Sequence, residues 1–208
     1  PQFLDQDSPT QRISANVATS FSTVLHPEPL LSLSNVFTAG ELQLWIDKAL
    51  RQHPELETSF VLEPKIDGLA VSLVYENGKF VRGATRGNGQ EGEDITANLR
   101  TIRGLPLTLT HSGAQKIPDR FEVRGEVYIS KIEFTELNKR RAKQNSPLYV
   151  NLRNTAAGSL RNLDPKITAR RNLSVFIYQL GWTESSHLFD SHRETIEWLT
   201  SLGFPTNP

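Results

Sequence analysis

The chain has 208 residues, balances 23 Lys and Arg against 23 Asp and Glu, and is 37% hydrophobic and 8% aromatic, which suffices for a core in one domain or two small ones. Its mean hydropathy is −0.40, and no apolar run approaches the roughly 20 residues of a membrane-spanning helix, so no membrane partner is expected. The absence of cysteine excludes a disulfide scaffold, a Cys-ligated zinc site and a thiol nucleophile.

The chain begins at Pro1 and has no methionine, which reads as a piece of a larger protein. No basic segment leads into an apolar run at its start, and a cytoplasmic location is the expectation. Residues 1–30 are polar, contain four prolines and lack sustained periodicity; they read as an N-terminal arm or linker remnant, with the domain proper over 31–208. From Gly40, the spacing of Leu42, Trp45, Ile46, Ala49 and Leu50 predicts an amphipathic helix ending near His53-Pro54. Two extended runs follow, Leu69 to Tyr75 and Phe80 to Thr85, joined by Glu76-Asn77-Gly78-Lys79. Asn-Gly supplies the positive φ angles of a type I′ turn, so a hairpin is predicted.

Residues 121–129 alternate Phe121, Val123, Gly125, Val127 and Ile129 against Glu122, Arg124, Glu126 and Tyr128. A strand with this pattern carries one apolar face and three charged groups on the other. Ser130 with Glu133 has capping-box spacing at the head of a helix-compatible stretch. Leu173 to Leu180 reads as a strand, and Thr195, Ile196, Leu199 and Leu202 as a last amphipathic helix stopped by Gly203 and Pro205. Helices and strands do not alternate strictly, so the fold class is α+β with a largely antiparallel sheet.

Charge is unevenly distributed. From Lys139 to Arg171 there are nine basic residues and one acid, Asp164, a segment charge of +8, so the rest carries −8. A surface facing a polyanion has this asymmetry, as does a solvated basic helix and loop. Gly87-Asn88-Gly89-Gln90-Glu91-Gly92 fits the dinucleotide pattern G-x-G-x-x-G. However, Glu91, Glu93 and Asp94 would crowd the pyrophosphate position and no βαβ unit surrounds it, so a glycine-rich turn is the reading. Five scattered histidines offer neither an H-E-x-x-H pair nor a nucleophile triad.

Glu63-Pro64-Lys65-Ile66-Asp67-Gly68 is more informative. A lysine at a junction of extended runs, with a carboxylate two residues later and a glycine to turn the chain, can serve as an amine nucleophile. It must then lose its proton near neutral pH, through burial or neighbouring cations. K-x-D-G alone arises by chance in about 5% of chains this long, and a surface Lys-Asp turn would explain it equally well.

The company of that motif carries more weight. It occurs with Asp7-Ser8-Pro9-Thr10-Gln11-Arg12, Leu31-Ser32-Leu33-Ser34-Asn35-Val36-Phe37, Ala84-Thr85-Arg86-Gly87 with Gly92-Glu93-Asp94-Ile95-Thr96, Glu122-Val123-Arg124-Gly125-Glu126-Val127, and Arg153-Asn154-Thr155-Ala156-Ala157-Gly158-Ser159-Leu160-Arg161. In these six ordered motifs the chain resembles the adenylation domain of bacterial NAD-dependent DNA ligases, a branch of the covalent nucleotidyltransferases. The resemblance implies the fold of the DNA ligase and mRNA capping enzyme catalytic core, with largely antiparallel sheets and flanking helices, incomplete at its C-terminus.

The resemblance also implies roles. Lys65 would attack the α-phosphorus of NAD, expel nicotinamide mononucleotide and hold AMP as a phosphoramidate, assisted by Mg²⁺. Glu63 would accept a hydrogen bond from the adenine amino group, Ser32 and Leu33 would line the adenylate pocket, and Arg86 and Glu126 would contact the adenylate, Glu126 at the ribose hydroxyls. Asp67 would be an orienting carboxylate near Lys65. Arg153 and Arg161 would hold phosphates of nicked double-stranded DNA; exposed salt bridges are the plainer reading of both.

Departures from the family pattern are Ser34 where Asp is usual, Leu152 where Pro is common, and the lack of the later D-G-[VI]-V-[IV]-K and K-F-x-P-like motifs after Phe204. The N-terminal helical subdomain, OB-fold, Cys-ligated zinc element, helix-hairpin-helix region and BRCT domain of the family are not in this sequence, so zinc is expected only in the rest of the protein. The 208 residues alone are accordingly expected to be a weakened or inactive core. Two other readings remain: a non-catalytic nucleotide or nucleic-acid binding module, and an RNA ligase or capping-type transferase using ATP or GTP.

Overall fold

The computed structural model describes residues 17–52, 54, 58–109, 116–185 and 188–207; the Asp7 to Arg12 motif and His53 lie outside them. The centre is a four-stranded antiparallel sheet of β2 (Leu69–Glu76), β3 (Lys79–Thr85), β5 (Arg120–Tyr128) and β6 (Ser174–Thr183), in the order β3-β2-β5-β6. The β2–β3 connection is the predicted hairpin, with Asn77 and Gly78 both at positive φ, 50° and 73°. A two-stranded antiparallel ribbon pairs β1 (Thr23–Leu25) with β4 (Glu91–Glu93).

Register explains how one strand pattern serves two purposes. In β2 against β5, Leu69, Val71, Leu73 and Tyr75 face Val127, Gly125, Val123 and Phe121, while Ala70, Ser72 and Val74 face Glu126, Arg124 and Glu122. The apolar face is closed by α2 (Thr96–Leu99), the Ile102 to Leu107 loop and α6 (His192–Ser201). Tyr75 sits among Phe80, Phe121 and Phe204, with ring centroids 5.2 to 5.6 Å apart, and its hydroxyl donates to Pro106 O at 2.7 Å. Burying Leu, Phe and Trp side chains here contributes about 1.5–3 kcal/mol each.

The other helices begin where sequence signals place them. Ser130 Oγ accepts from Glu133 N at the head of α3 (Lys131–Lys143), Asn151 caps α4 (Leu152–Leu160), and Asp164 caps α5 (Pro165–Ala169) with Pro165 at its first position. Ser191 caps α6, which stops at Gly203, φ 88°. Asn98 joins these layers: its buried Nδ2 donates to Asn162 O at 2.6 Å and Thr168 Oγ1 at 2.9 Å.

Three expectations are refined. The glycine-rich segment is a turn, with Gly87 and Gly89 at φ 57° and 97°, and it leads into β4 rather than a helix, so no helix N-terminus faces it. Within 1–30, read as an arm, Thr23–Leu25 forms a strand; three residues are too few to show periodicity. The α1 helix (Ala39–Gln52) forms, but none of its residues is buried; Trp45 packs at 5.7 Å against Phe60, on the segment leading to Lys65. Among the described residues no helix is long and apolar enough to cross a membrane.

Candidate active site

The Lys65 segment has no regular secondary structure; Asn207 Nδ2 donates to Pro64 O at 3.4 Å, and three further side-chain contacts hold it. Gly68 N donates to Glu126 Oε1 at 3.0 Å, fastening it to β5. Asp67 Oδ1 accepts from Arg153 Nη1 at 2.9 Å, fastening it to the first turn of α4. Glu63 Oε2 lies 3.1 Å from His192 Nε2, at the first residue of α6. The glycine is required by space: a Cβ at Gly68 would lie 2.1 Å from Val127 O.

These contacts gather Lys65, Asp67, Glu126 and Arg153 around one end of the polar face. Glu126 is 9% exposed. Burial pushes its carboxyl above the ordinary range, opposed by the Gly68 N–H, Lys65 and Arg153, while Asp67 pushes it further up. Lys65 itself is exposed, and its ammonium has no hydrogen bond or ion pair among the described residues.

Farther along the same face, Arg86 follows β3. Its N–H donates to Ala70 O at 3.0 Å, and its carbonyl lies 3.2 Å from His26 Nε2 and accepts from it. Next to it is a residue that pattern reading missed. Between Arg124 and Gly125 the β5–β6 register slips, with Arg124 opposite Gln179 and Gly125 opposite Ile177, so Tyr178 is the extra residue. The Tyr178 hydroxyl is pushed up by burial and by Glu126, with Arg124 and Arg86 opposing. By alternation from Phe176, which pairs with Glu126, Tyr178 shares the face of β6 that meets the polar face of β5.

The remaining candidates are not part of this cluster. Ser32 and Leu33 are exposed, with no hydrogen bond to the Lys65 segment. Arg161, at the C-terminal end of α4, grips the Glu93 carboxylate with both Nε and Nη2, the latter at 2.6 Å from Oε1. Eight residues of helix separate it from Arg153 by about 12 Å. Both arginines are about half exposed and salt-bridged. His192 was not singled out because a contact spanning 129 positions leaves no local trace.

Comparison with known proteins agrees with the sequence motifs. The family model of the NAD-dependent DNA ligase adenylation domain matches residues 18–208. The chain is 52% identical over 209 residues to a DNA ligase of Desulforamulus reducens, 49% identical over 208 residues to one of Dehalococcoides mccartyi, and 48% identical over 208 residues to one of Myxococcus xanthus. Each match covers the whole of this chain, which spans about 30% of the length of these curated relatives. With the family model matched over residues 18–208 and DNA ligases about 50% identical across the whole of this chain, the chain belongs to the NAD-dependent DNA ligase adenylation domain family.

Proposed function

We propose that the chain carries the lysine-adenylation centre of an NAD-dependent DNA ligase. Lys65 Nζ, as the free amine, attacks the α-phosphorus of NAD; a P–N bond forms, the bond to the bridging oxygen breaks, and nicotinamide mononucleotide leaves with its electron pair. AMP then passes to the 5′-phosphate of nicked DNA, and the 3′-hydroxyl attacks that phosphorus and expels AMP. Arg153, held at Asp67 beside the Lys65 segment, holds a phosphate of the nicked DNA when the strand end reaches the adenylated lysine. Glu126 takes the ribose hydroxyls through Oε2, since Oε1 is engaged by Gly68, and Glu63 takes the adenine amino group. Arg86 binds the adenylate and Ser32 and Leu33 line its pocket, while Arg161 exchanges Glu93 for a DNA phosphate.

The observation that carries this reading is the hydrogen bond between Gly68 and Glu126, 58 positions apart, which brings an exposed lysine with no hydrogen bond or ion pair among the described residues to a buried carboxylate. The described residues contain no group of three or more His, Cys, Asp or Glu suited to a metal. A Mg²⁺ would be kept mainly by water and substrate phosphates, with Asp67 as the exposed carboxylate near Lys65. When bound, it would polarise the phosphate and offset its charge.

The test is intact and peptide mass spectrometry of the whole protein after incubation with Mg²⁺ and NAD, ATP or GTP. An AMP adduct on Lys65 from NAD supports the reading. Labelling from ATP or GTP instead would favour an RNA ligase or capping-type transferase, and nucleotide binding without any adduct a non-catalytic module.

A further inference from the structure

Arg124 takes no part in the chemistry above, yet it is 7% exposed at the centre of β5. Its Nε donates to Glu122 Oε1 at 2.6 Å, Nη2 to Glu28 O at 3.0 Å, and Nη1 to Pro29 O at 3.3 Å. Glu122 is fully buried, and its Oε2 has no hydrogen-bond partner among the described residues. Across the sheet, a Cβ on Gly181 would come within 2.4 Å of Glu122 Oε1 and 2.9 Å of Arg124 Nε, so the pair is closely packed. Buried ion pairs are poor sources of stability, because desolvation offsets their attraction. Arg124 and Glu122 therefore call for an explanation other than stability.

The two carbonyls that Arg124 grips supply one. Pairing of β1 with β4 ends at Leu25, and Pro27 and Pro29 lack the N–H groups that would continue a ladder. The chain is held instead by separate bonds, two that it donates and two that it accepts. His26 N donates to Gln90 O at 2.9 Å and Leu30 N to Gly89 O at 2.8 Å, against the turn that follows Arg86, and Arg124 holds Glu28 and Pro29 between these points. Ser32 and Leu33 follow, exposed and with no hydrogen bond or ion pair of their side chains among the described residues.

We propose that Arg124, oriented by Glu122, is a positioning residue: it clamps Glu28 and Pro29 to β5 and so sets where Ser32, Leu33 and the Arg86 turn stand at the nucleotide pocket. The affinity consequence rests on the reading of that pocket as an adenylate site; the clamping does not. A planar guanidinium reaches two successive carbonyls while bonding a carboxylate. A lysine ammonium, as a point charge, does not reproduce that fork.

The experiment compares, in the whole protein, the wild type with Arg124→Lys and with the charge-neutral pair Arg124→Met plus Glu122→Gln, which leaves no buried charge uncompensated. Hydrogen exchange is followed at the hydrogen-bonded amides of His26 and Leu30, on either side of Glu28 and Pro29, and at those of the β2–β3 hairpin, and AMP affinity by calorimetry. Exchange at His26 and Leu30 is expected to rise about tenfold in both variants with the hairpin unchanged, and AMP affinity to fall about tenfold, the scale of one lost hydrogen bond to a charged group. Unchanged exchange at Leu30 overturns the proposal, as does an equal rise throughout the hairpin, which marks general destabilisation. A looser Leu30 with unaltered AMP affinity overturns the link to the pocket, whereas no AMP binding by the wild-type protein overturns the adenylate reading and leaves the clamp judged by exchange.

Discussion

Replacing Gly68 with alanine places a Cβ 2.1 Å from Val127 O, 2.8 Å from Val127 C and 3.1 Å from Tyr128 Cβ. Ordinary contacts between carbon atoms begin near 3.5 Å. The neighbours are mainly backbone of a central strand, so the Lys65 segment must withdraw by about 1 Å. That movement stretches the 3.0 Å bond from Gly68 N to Glu126, a hydrogen bond to a charged acceptor that contributes about 1.5–3 kcal/mol. A nucleophile displaced by about 1 Å from its attack position loses on the order of 10² in rate. Gly68→Ala in the whole protein is therefore expected to lower single-turnover adenylation by NAD about 100-fold, with melting cooperative and reduced by a few degrees. Adenylation within about threefold of wild type, in a folded variant, would refute the claim that this contact positions Lys65.

Asn98→Ala removes two buried hydrogen bonds and leaves Thr168 and Asn162 without that donor. A loss of about 2–3 kcal/mol in urea unfolding is expected, and a loss under about 0.5 kcal/mol would show that water replaces the amide. Glu126 has a raised folded-state value, so between the ordinary carboxylate range and that value the native state binds more protons than the unfolded one. Its contribution to stability therefore falls as pH rises through this window. Glu126→Gln removes that fall, and a wild-type minus variant difference that stays flat across the window contradicts the assignment. Glu93→Gln releases Arg161 from a bidentate carboxylate and is expected to tighten nicked-DNA binding several-fold at low salt. Arg161→Ala is expected to weaken it and to lower the salt slope by about 1. Equal weakening by both, measured by fluorescence anisotropy, would mark the pair as purely structural.

Local signals were legible where chemistry acts over a few residues. Asn77-Gly78 specifies the hairpin because both positions adopt positive φ, and Ser130 with Glu133 specifies the start of α3 because one side chain satisfies one orphan N–H. The alternation in residues 121–129 gave the two faces of β5, but not that Glu122, Arg124 and Glu126 would all be buried. Period-2 patterning sorts side chains by face and says nothing of what covers each face. The candidate cluster was legible only as motifs. Asp67 and Arg153 meet across 86 positions and Glu63 and His192 across 129, distances at which no periodicity survives. Tyr178 escaped because alternation sorts it with Phe176 onto one face but does not say which strand, and so which charged groups, that face meets.

The central claim is that Lys65 is the residue adenylated by NAD. The direct measurement is peptide mass spectrometry of the whole protein after brief incubation with Mg²⁺ and NAD, at neutral pH to preserve an acid-labile P–N bond, beside Lys65→Ala. The account predicts a single AMP adduct on the peptide containing Lys65, formed from NAD, absent with ATP and absent from the variant. An adduct that persists in Lys65→Ala, or one formed from ATP and not from NAD, would contradict it.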